Sequence, residues 1–326
     1  MRFLLTDEQR EFARTLDGML ASSGTVEAAR AWAAGKHEPG RALWARLARA
    51  GVFGLAVPEP DAGSGPLAVE LTVAFVELGR HAVPGPLVET VAAAALLARL
   101  GDDRAAGGWL PRIAAGDAVL SLCAGTPYAL DADAADAVLV VRDDRLHRTD
   151  RHGPVQPSSD PTRRLARPLG GTPLAHGPEV PAAVAYATAL ARLLTAAQSL
   201  GLGRALLAAT VAHVRQRTQF TVPIGSFQAV KHRLADALLW LEFAQPLVYA
   251  AALAVAAGAP SAGREVAAAK VAAGEAGYAA ARTALHLHGA LGYTEELDLS
   301  LWIRKARPLR DAWGTPADCR ARVLTG

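Results

Sequence analysis

The sequence predicts a mostly α-helical protein in which a small β region separates a helical N-terminal part from a bundle of long helices. Three observations predict it. Apolar residues recur at helical spacing through the first third. Short Val- and Leu-rich runs bounded by Pro, Gly, Asp and Ser fill the middle. Long periodic stretches joined by brief loops fill the remainder.

In order along the chain, Thr6 to Leu20 reads as a helix opened by a Thr6/Gln9 capping box, with Phe12, Leu16, Met19 and Leu20 on one face. Arg41–Ala50 is a second helix stopped by Gly51, and Gly51–Pro66 is loop chemistry. Helices return at Ala68–His81 and Pro86–Leu100, and Gly101–Gly108 punctuates them. Ala118–Ala124 and Ala137–Arg142 read as strands, with Leu146–Arg148 pairing the second and an edge strand near Arg164–Leu169 in an otherwise loop-like, proline-rich stretch. Ala182–Gln216, Ser226–Ala257, Ser261–Leu287 and Leu297–Trp313 then read as helices, the first two joined by the loop Thr221–Gly225.

A chain of 326 residues with 51% hydrophobic residues has ample material for packed cores, so a disordered chain is excluded. Basic residues (34) nearly balance acidic ones (31), 30 of the basic ones are Arg, and no long run of like charge occurs. That composition argues against a nucleic-acid partner. Cys123 and Cys319 have no metal-ligand spacing and suggest a reducing compartment. The opening residues turn polar too soon for a signal peptide, and no 18-residue apolar stretch lacks charges or breakers. The expectation is a cytoplasmic protein without a membrane partner.

Two stretches carry more specific information: Arg215–Asp236 (RQRTQFTVPIGSFQAVKHRLAD) and His286–Arg307 (HLHGALGYTEELDLSLWIRKAR). With the opening helix and LAVPEPDAGSG, they resemble the acyl-CoA dehydrogenase family over nearly the whole chain and in the same order. The resemblance implies an acyl-CoA dehydrogenase-like fold: an N-terminal helical domain (1–116), a small central β domain (117–180) and a C-terminal four-helix bundle (181–326). It implies FAD as cofactor and 2,3-desaturation of an acyl-CoA thioester. By the same resemblance Arg217, Gln219, Phe220 and Gln228 belong to the FAD-binding strip, serving the flavin of a neighbouring subunit, with Arg217 meeting the pyrophosphate. His286, Gly289, Gly292 and Thr315 are further cofactor-side positions. His286 and Ala290 replace the Gln and second Gly that the family writes in this turn. Glu295, Glu296 and Asp298 have no His or Cys at ligand spacing, so they are read as helix-start acids rather than a metal or catalytic site.

The family chemistry needs a carboxylate within reach of the thioester α-carbon. One family position for that base precedes a Gly-Thr pair, here Gly314-Thr315, and holds Trp313. The alternative, beside a recurrent Arg matched by the substrate-side Arg192, holds Ala191. Neither side chain accepts a proton. The flavin-embracing Thr/Ser segment of the middle domain is also altered, leaving Thr126 and Tyr128. These departures resemble the short actinobacterial-type subunits of heteromeric α2β2 steroid side-chain dehydrogenases, in which a homologous partner carries the catalytic Glu. Such enzymes act in lipid or steroid catabolism, and the family usually passes electrons to electron-transfer flavoprotein. Two other readings stay open: a self-sufficient homomeric flavoenzyme using Asp311 or Glu242, and a flavin-free, non-catalytic family member.

Overall fold

A computed structural model describes residues 4–101 and 108–325. The first three residues of the predicted opening segment and residues 102–107 of the Gly101–Gly108 punctuation lie outside the described residues. Within them the chain is mostly helical: a helical N-terminal part, a small β region and C-terminal helices. The helices are α1 (Asp7–Ala21), α2 (Thr25–Ala33), α3 (Glu38–Arg49), α4 (Ala68–Arg80), α5 (Leu87–Leu100), α6 (Trp109–Ala115), α7 (Glu179–Gln216), α8 (Gln228–Ala256), α9 (Ala262–His288), α10 (Ser300–Asp311) and α11 (Pro316–Thr325). The chain divides into two compact units, each discontinuous in sequence: residues 22–71 with 83–191, and residues 1–21 with 72–82 and 192–326.

In the first unit, β1 (Leu120–Cys123) runs parallel to β3 (Ala137–Arg142), which pairs antiparallel with β4 (Arg145–Thr149), and β6 (Thr172–His176) closes the order β1-β3-β4-β6. The expected pairing of Leu146–Arg148 with the Val-rich strand appears as Val141 opposite Leu146 and Leu139 opposite Arg148. The segment expected to be an edge strand, β5 (Leu165–Ala166), instead forms its own two-stranded pair with β2 (Ala129–Leu130). The edges of the four-stranded sheet are β1 and β6. Pro173 of β6 lacks an N–H and is tolerated there, and the register shifts between Leu146 and His147 beside it. Side chains tie the N-terminal helices to this sheet. Thr90 Oγ1 donates to the Leu120 carbonyl at 2.6 Å, and Arg41 meets Asp136 at 3.1 Å.

In the second unit, α1 opens with the expected capping box. Gln9 N–H donates to Thr6 Oγ1 at 3.2 Å, and Thr6 N–H donates to Gln9 Oε1 at 3.0 Å. Helices α8, α10 and α11 pack on α9, and Gly203 of α7 faces Gly277 of α9. Glycines bring backbones together here: a Cβ on Gly201 of α7 would sit 1.8 Å from the Val76 carbonyl oxygen of α4. Gly201→Ala is therefore expected to destabilise the protein by roughly 1–3 kcal/mol, read as a lower urea midpoint with an unchanged slope.

By length and composition α7 and α8 are apolar enough to cross a membrane. The sequence expectation counted charges and breakers as interruptions, yet the mean hydropathy of both helices passes. Burial accounts for much of that apolar character. Leu193, Leu200 and Leu206 of α7, with Leu241 and Val248 of α8, are completely buried.

Candidate functional site

The first candidate cluster begins where α7 ends. Arg217 follows its last turn and leads into a tight hairpin of β7 (Thr218–Gln219) and β8 (Val222–Pro223). The connecting Phe220 and Thr221 both take positive φ (52° and 68°), the conformation a two-residue hairpin turn requires. This hairpin replaces the plain loop expected at Thr221–Gly225. It holds Phe220 84% exposed, with its ring edge-on to Phe227 at 6.3 Å. Arg217, Gln219 and Gln228, the first residue of α8, are all exposed. Among the described residues the Arg217 side chain has no carboxylate partner, so it is not the helix-ending ion pair that most arginines of this type would make.

The two informative stretches meet through their histidines. His213, four residues before Arg217, stacks on His288, two residues beyond His286, with ring centroids 4.1 Å apart. His288 is buried and its Nδ1 lies 2.8 Å from the Ala284 carbonyl, so that nitrogen carries the proton. Burial first, then His288 and Arg217, push the His213 imidazole below its ordinary value. Exposed His286 and Gly289 therefore lie on the helix end that the stack anchors beside the Arg217 strip. Gly289 takes φ 59°, ψ −137°, a conformation for which glycine is suited, whereas Ala290 does not have positive φ. Gly292 is buried behind Leu285. The histidine pair was not singled out from sequence, because rings 75 positions apart give no local signal.

A second cluster lies around Arg192 and Trp313. Ala191 is buried in α7, and Arg192, next along the helix, donates its Nε–H to the Trp313 carbonyl at 2.8 Å. Trp313 takes φ 59°, an uncommon backbone for a bulky residue, and Gly314 follows at φ 135°. Lys270 of α9 reinforces this bend. Its ammonium donates to the carbonyls of Leu309 and Arg310 at 3.2 and 2.5 Å near the end of α10. Burial pushes the Arg192 guanidinium below its ordinary value.

Thr315, a cofactor-side position by resemblance, is engaged with Asp318. Its Oγ1 donates to Asp318 Oδ2 at 2.7 Å and accepts the Asp318 N–H at 3.2 Å, capping α11. Both groups of Thr315 that donate to Asp318 hold its carboxyl below the usual carboxylate range. The remaining base candidates are occupied by cations: Asp311 with Arg310 at 3.0 Å and Glu242 with Arg204 at 3.4 Å. Glu295 pairs with Arg304.

In the β region, Thr126 Oγ1 is turned inward on its own loop, donating to the Tyr128 carbonyl at 2.8 Å and accepting the Tyr128 N–H at 3.2 Å. Among the described residues one trio has metal-ligand geometry, Asp17, Glu77 and His81. Its members are engaged with one another or with Arg80: His81 Nε2 lies 2.7 Å from Asp17, and Arg80 Nε donates to Glu77 at 2.7 Å.

The architecture is that of solved acyl-CoA dehydrogenases. The ChsE4–ChsE5 complex of Mycobacterium tuberculosis superposes with a TM-score of 0.84 at 27% identity, over 99% of this chain and 98% of that one. A glutaryl-CoA dehydrogenase from Mycobacterium smegmatis, solved with FADH2, shares the fold at a TM-score of 0.83 and 19% identity, over 99% and 95% of the two chains. Family models for the acyl-CoA dehydrogenase N-terminal and C-terminal domains match residues 6–117 and 182–321. Acyl-CoA dehydrogenase IpdE2 of Mycobacterium tuberculosis is 33% identical over 323 residues, which is 97% of this chain and 96% of that protein. The chain belongs to the acyl-CoA dehydrogenase family.

Proposed function

We propose that this chain is the base-lacking subunit of a flavin-dependent acyl-CoA dehydrogenase that desaturates an acyl-CoA thioester at C2–C3, working as half of an α2β2 assembly with a homologous, Glu-bearing partner. The observation that supports this reading is that Trp313, whose backbone carbonyl accepts from Arg192, and buried Ala191 stand where the resemblance expects the base. Neither can take the α-proton. Asp311, Glu242 and Asp318 are each committed to another group. Proton removal then falls to a carboxylate of the partner.

The exposed donors Arg217, Gln219, Gln228 and His286, beside the flat exposed ring of Phe220, suit a ligand that combines a polyanionic pyrophosphate with planar rings. They fit FAD. When bound, FAD supplies the hydride acceptor that oxidation of the thioester needs. This chain's part would be to bind and orient it from across the interface, while Thr126 and Tyr128, closed on each other, contribute little from the β region. We keep the division 1–116, 117–180 and 181–326 as the proposed domains, and electron-transfer flavoprotein and the cytoplasm as the proposed acceptor and setting.

An assembly is also supported by α8. Leu238, Leu239, Trp240, Phe243 and Leu247 are exposed on it, more apolar surface than a lone soluble chain ordinarily presents. The name of the ChsE4–ChsE5 complex, a pair of different chains, points the same way.

Purification with and without a homologous, Glu-bearing chain tests the proposal. The pair is expected to carry one flavin per two different chains, and the lone chain to be colourless or substoichiometric. In the pair, Arg217→Ala is expected to weaken FAD binding about 100-fold through loss of a charge-assisted contact, measured by flavin retention on dilution. A flavin-saturated lone chain with full turnover would give the homomeric reading instead, and a colourless pair the flavin-free one.

A further inference from the structure

A cavity of about 200 Å³ lies in the unit formed by residues 22–71 and 83–191. Leu71, Ala95, Ala98 and Leu190 are among its apolar walls, and one cation, Arg99, lines it together with Tyr186. The Arg99 guanidinium lies over the Tyr186 ring, 3.9 Å from the centroid. Arg41, Arg80, Arg164, Arg304, Arg310 and Arg320 each pair with a carboxylate. Among the described residues Arg99 has neither an ion pair nor a hydrogen bond, and the tyrosine face is its contact. A guanidinium stacked in this way keeps its N–H edge free, which is the geometry that receives a carboxylate through two parallel hydrogen bonds.

The location of the cavity along α7 matters. Tyr186 and Leu190 share one helix face, and Leu190 directly precedes Ala191, the family base position. Five residues of helix separate Tyr186 from Ala191, about 7.5 Å of rise. At roughly 30 Å³ for each water-sized group, the cavity holds about seven heavy atoms, the distal part of a short acyl chain. Apolar walls beside a single cation favour a ligand that is hydrocarbon along its length and anionic at its tip, the exposed Arg99 guanidinium receiving that tip at the solvent-facing edge of the cavity.

We propose that this cavity selects acyl-CoA thioesters whose acyl group ends in a carboxylate, and that Arg99, set by the Tyr186 ring, is the specificity-determining residue that receives it. This rests on the acyl-CoA reading above and adds the substrate class to it.

The test is calorimetric titration of the full chain with glutaryl-, adipoyl- and suberoyl-CoA against pentanoyl-, hexanoyl- and octanoyl-CoA. At one or more lengths the carboxylate-ended thioester is expected to bind at least tenfold tighter than its neutral counterpart. That preference should shrink as salt is raised. Arg99→Gln is expected to bring the ratio within twofold, while Arg99→Lys, which keeps the charge but loses the planar fork, retains part of it. Equal affinities at every length in the unmodified chain, or an undiminished preference in Arg99→Gln, would overturn the proposal and leave the acyl-CoA reading standing. Should neither the chain nor the assembled pair bind any of the six thioesters, the acyl-CoA reading itself fails, and this assignment falls with it.

Discussion

Asp131→Asn is expected to stabilise the protein by about 4 kcal/mol at pH 7 and to abolish a loss of stability that the unmodified chain suffers between pH 5 and 8. Asp131 is completely buried at the end of β2, with positive φ (52°). Its Oδ1 accepts the Arg164 N–H at 3.1 Å, while Oδ2 is buried without a hydrogen-bond partner among the described residues. Burial, aided by the Glu89 carboxyl, raises it to about 8 against the pull of the Arg164 N–H, the Trp32 indole and Arg163. The folded chain therefore keeps this proton through a range where the unfolded chain has released it. The group's full contribution is present below the ordinary carboxyl value of 3.8 and is lost progressively as pH rises toward 8. From 3.8 to pH 7, at about 1.4 kcal/mol per unit, the loss amounts to about 4 kcal/mol. Asparagine has the shape and hydrogen-bonding pattern of the neutral acid and nothing to titrate. Urea unfolding at pH 5 and pH 8 checks this: the unmodified chain should lose stability between the two and the variant should not. Parallel behaviour of the two proteins would mean that Asp131 is ionised in the fold.

The second large effect concerns turnover. Without its partner the chain is expected to desaturate an acyl-CoA at least 100-fold more slowly than the assembled pair, since loss of a general base alone typically removes ~10²–10⁴-fold. The nearby Asp318 is a poor substitute. Two hydrogen bonds from Thr315 hold its carboxyl below the usual range, which makes it a weaker base, and they fix it to the start of α11. Trp313→Glu should recover part of the deficit in the lone chain supplied with FAD. Recovery will be incomplete because the lone chain still lacks the partner's contribution to the flavin site. Pre-steady-state reduction of the flavin by excess substrate measures the step. A lone chain that reduces flavin as fast as the pair would remove the case for a partner's base.

Local patterns carried the fold a long way. The Thr6/Gln9 box, the Val-rich runs that became β1 and β3, and the long helices all lie near their expected positions, because capping and periodicity act over a few residues. Elements whose local signal is ambiguous were passed over. Helix α2 starts after Gly24 in a left-handed conformation with no side-chain cap, and its alanine-rich sequence gives little periodic contrast. Helix α11 is short, and its Thr315–Asp318 cap was masked by the cofactor role that the resemblance assigned to Thr315. Strand β6 carries a proline that reads as loop until its place at a sheet edge makes the missing N–H harmless.

The sequence by itself determined the family and the order of helical, β and helical parts, and it writes Trp313 and Ala191 where the resemblance expects a carboxylate, since each is written in residue identity and short-range spacing. Only the tertiary structure decided which groups meet: the His213–His288 stack that joins the two motif stretches, the commitment of Thr315 to Asp318, the burial of Asp131, and Arg99 lying on Tyr186 at the mouth of an apolar cavity. Most of those pairings join residues scores of positions apart. Their energies come from desolvation and packing, which exist only once the chain has closed on itself.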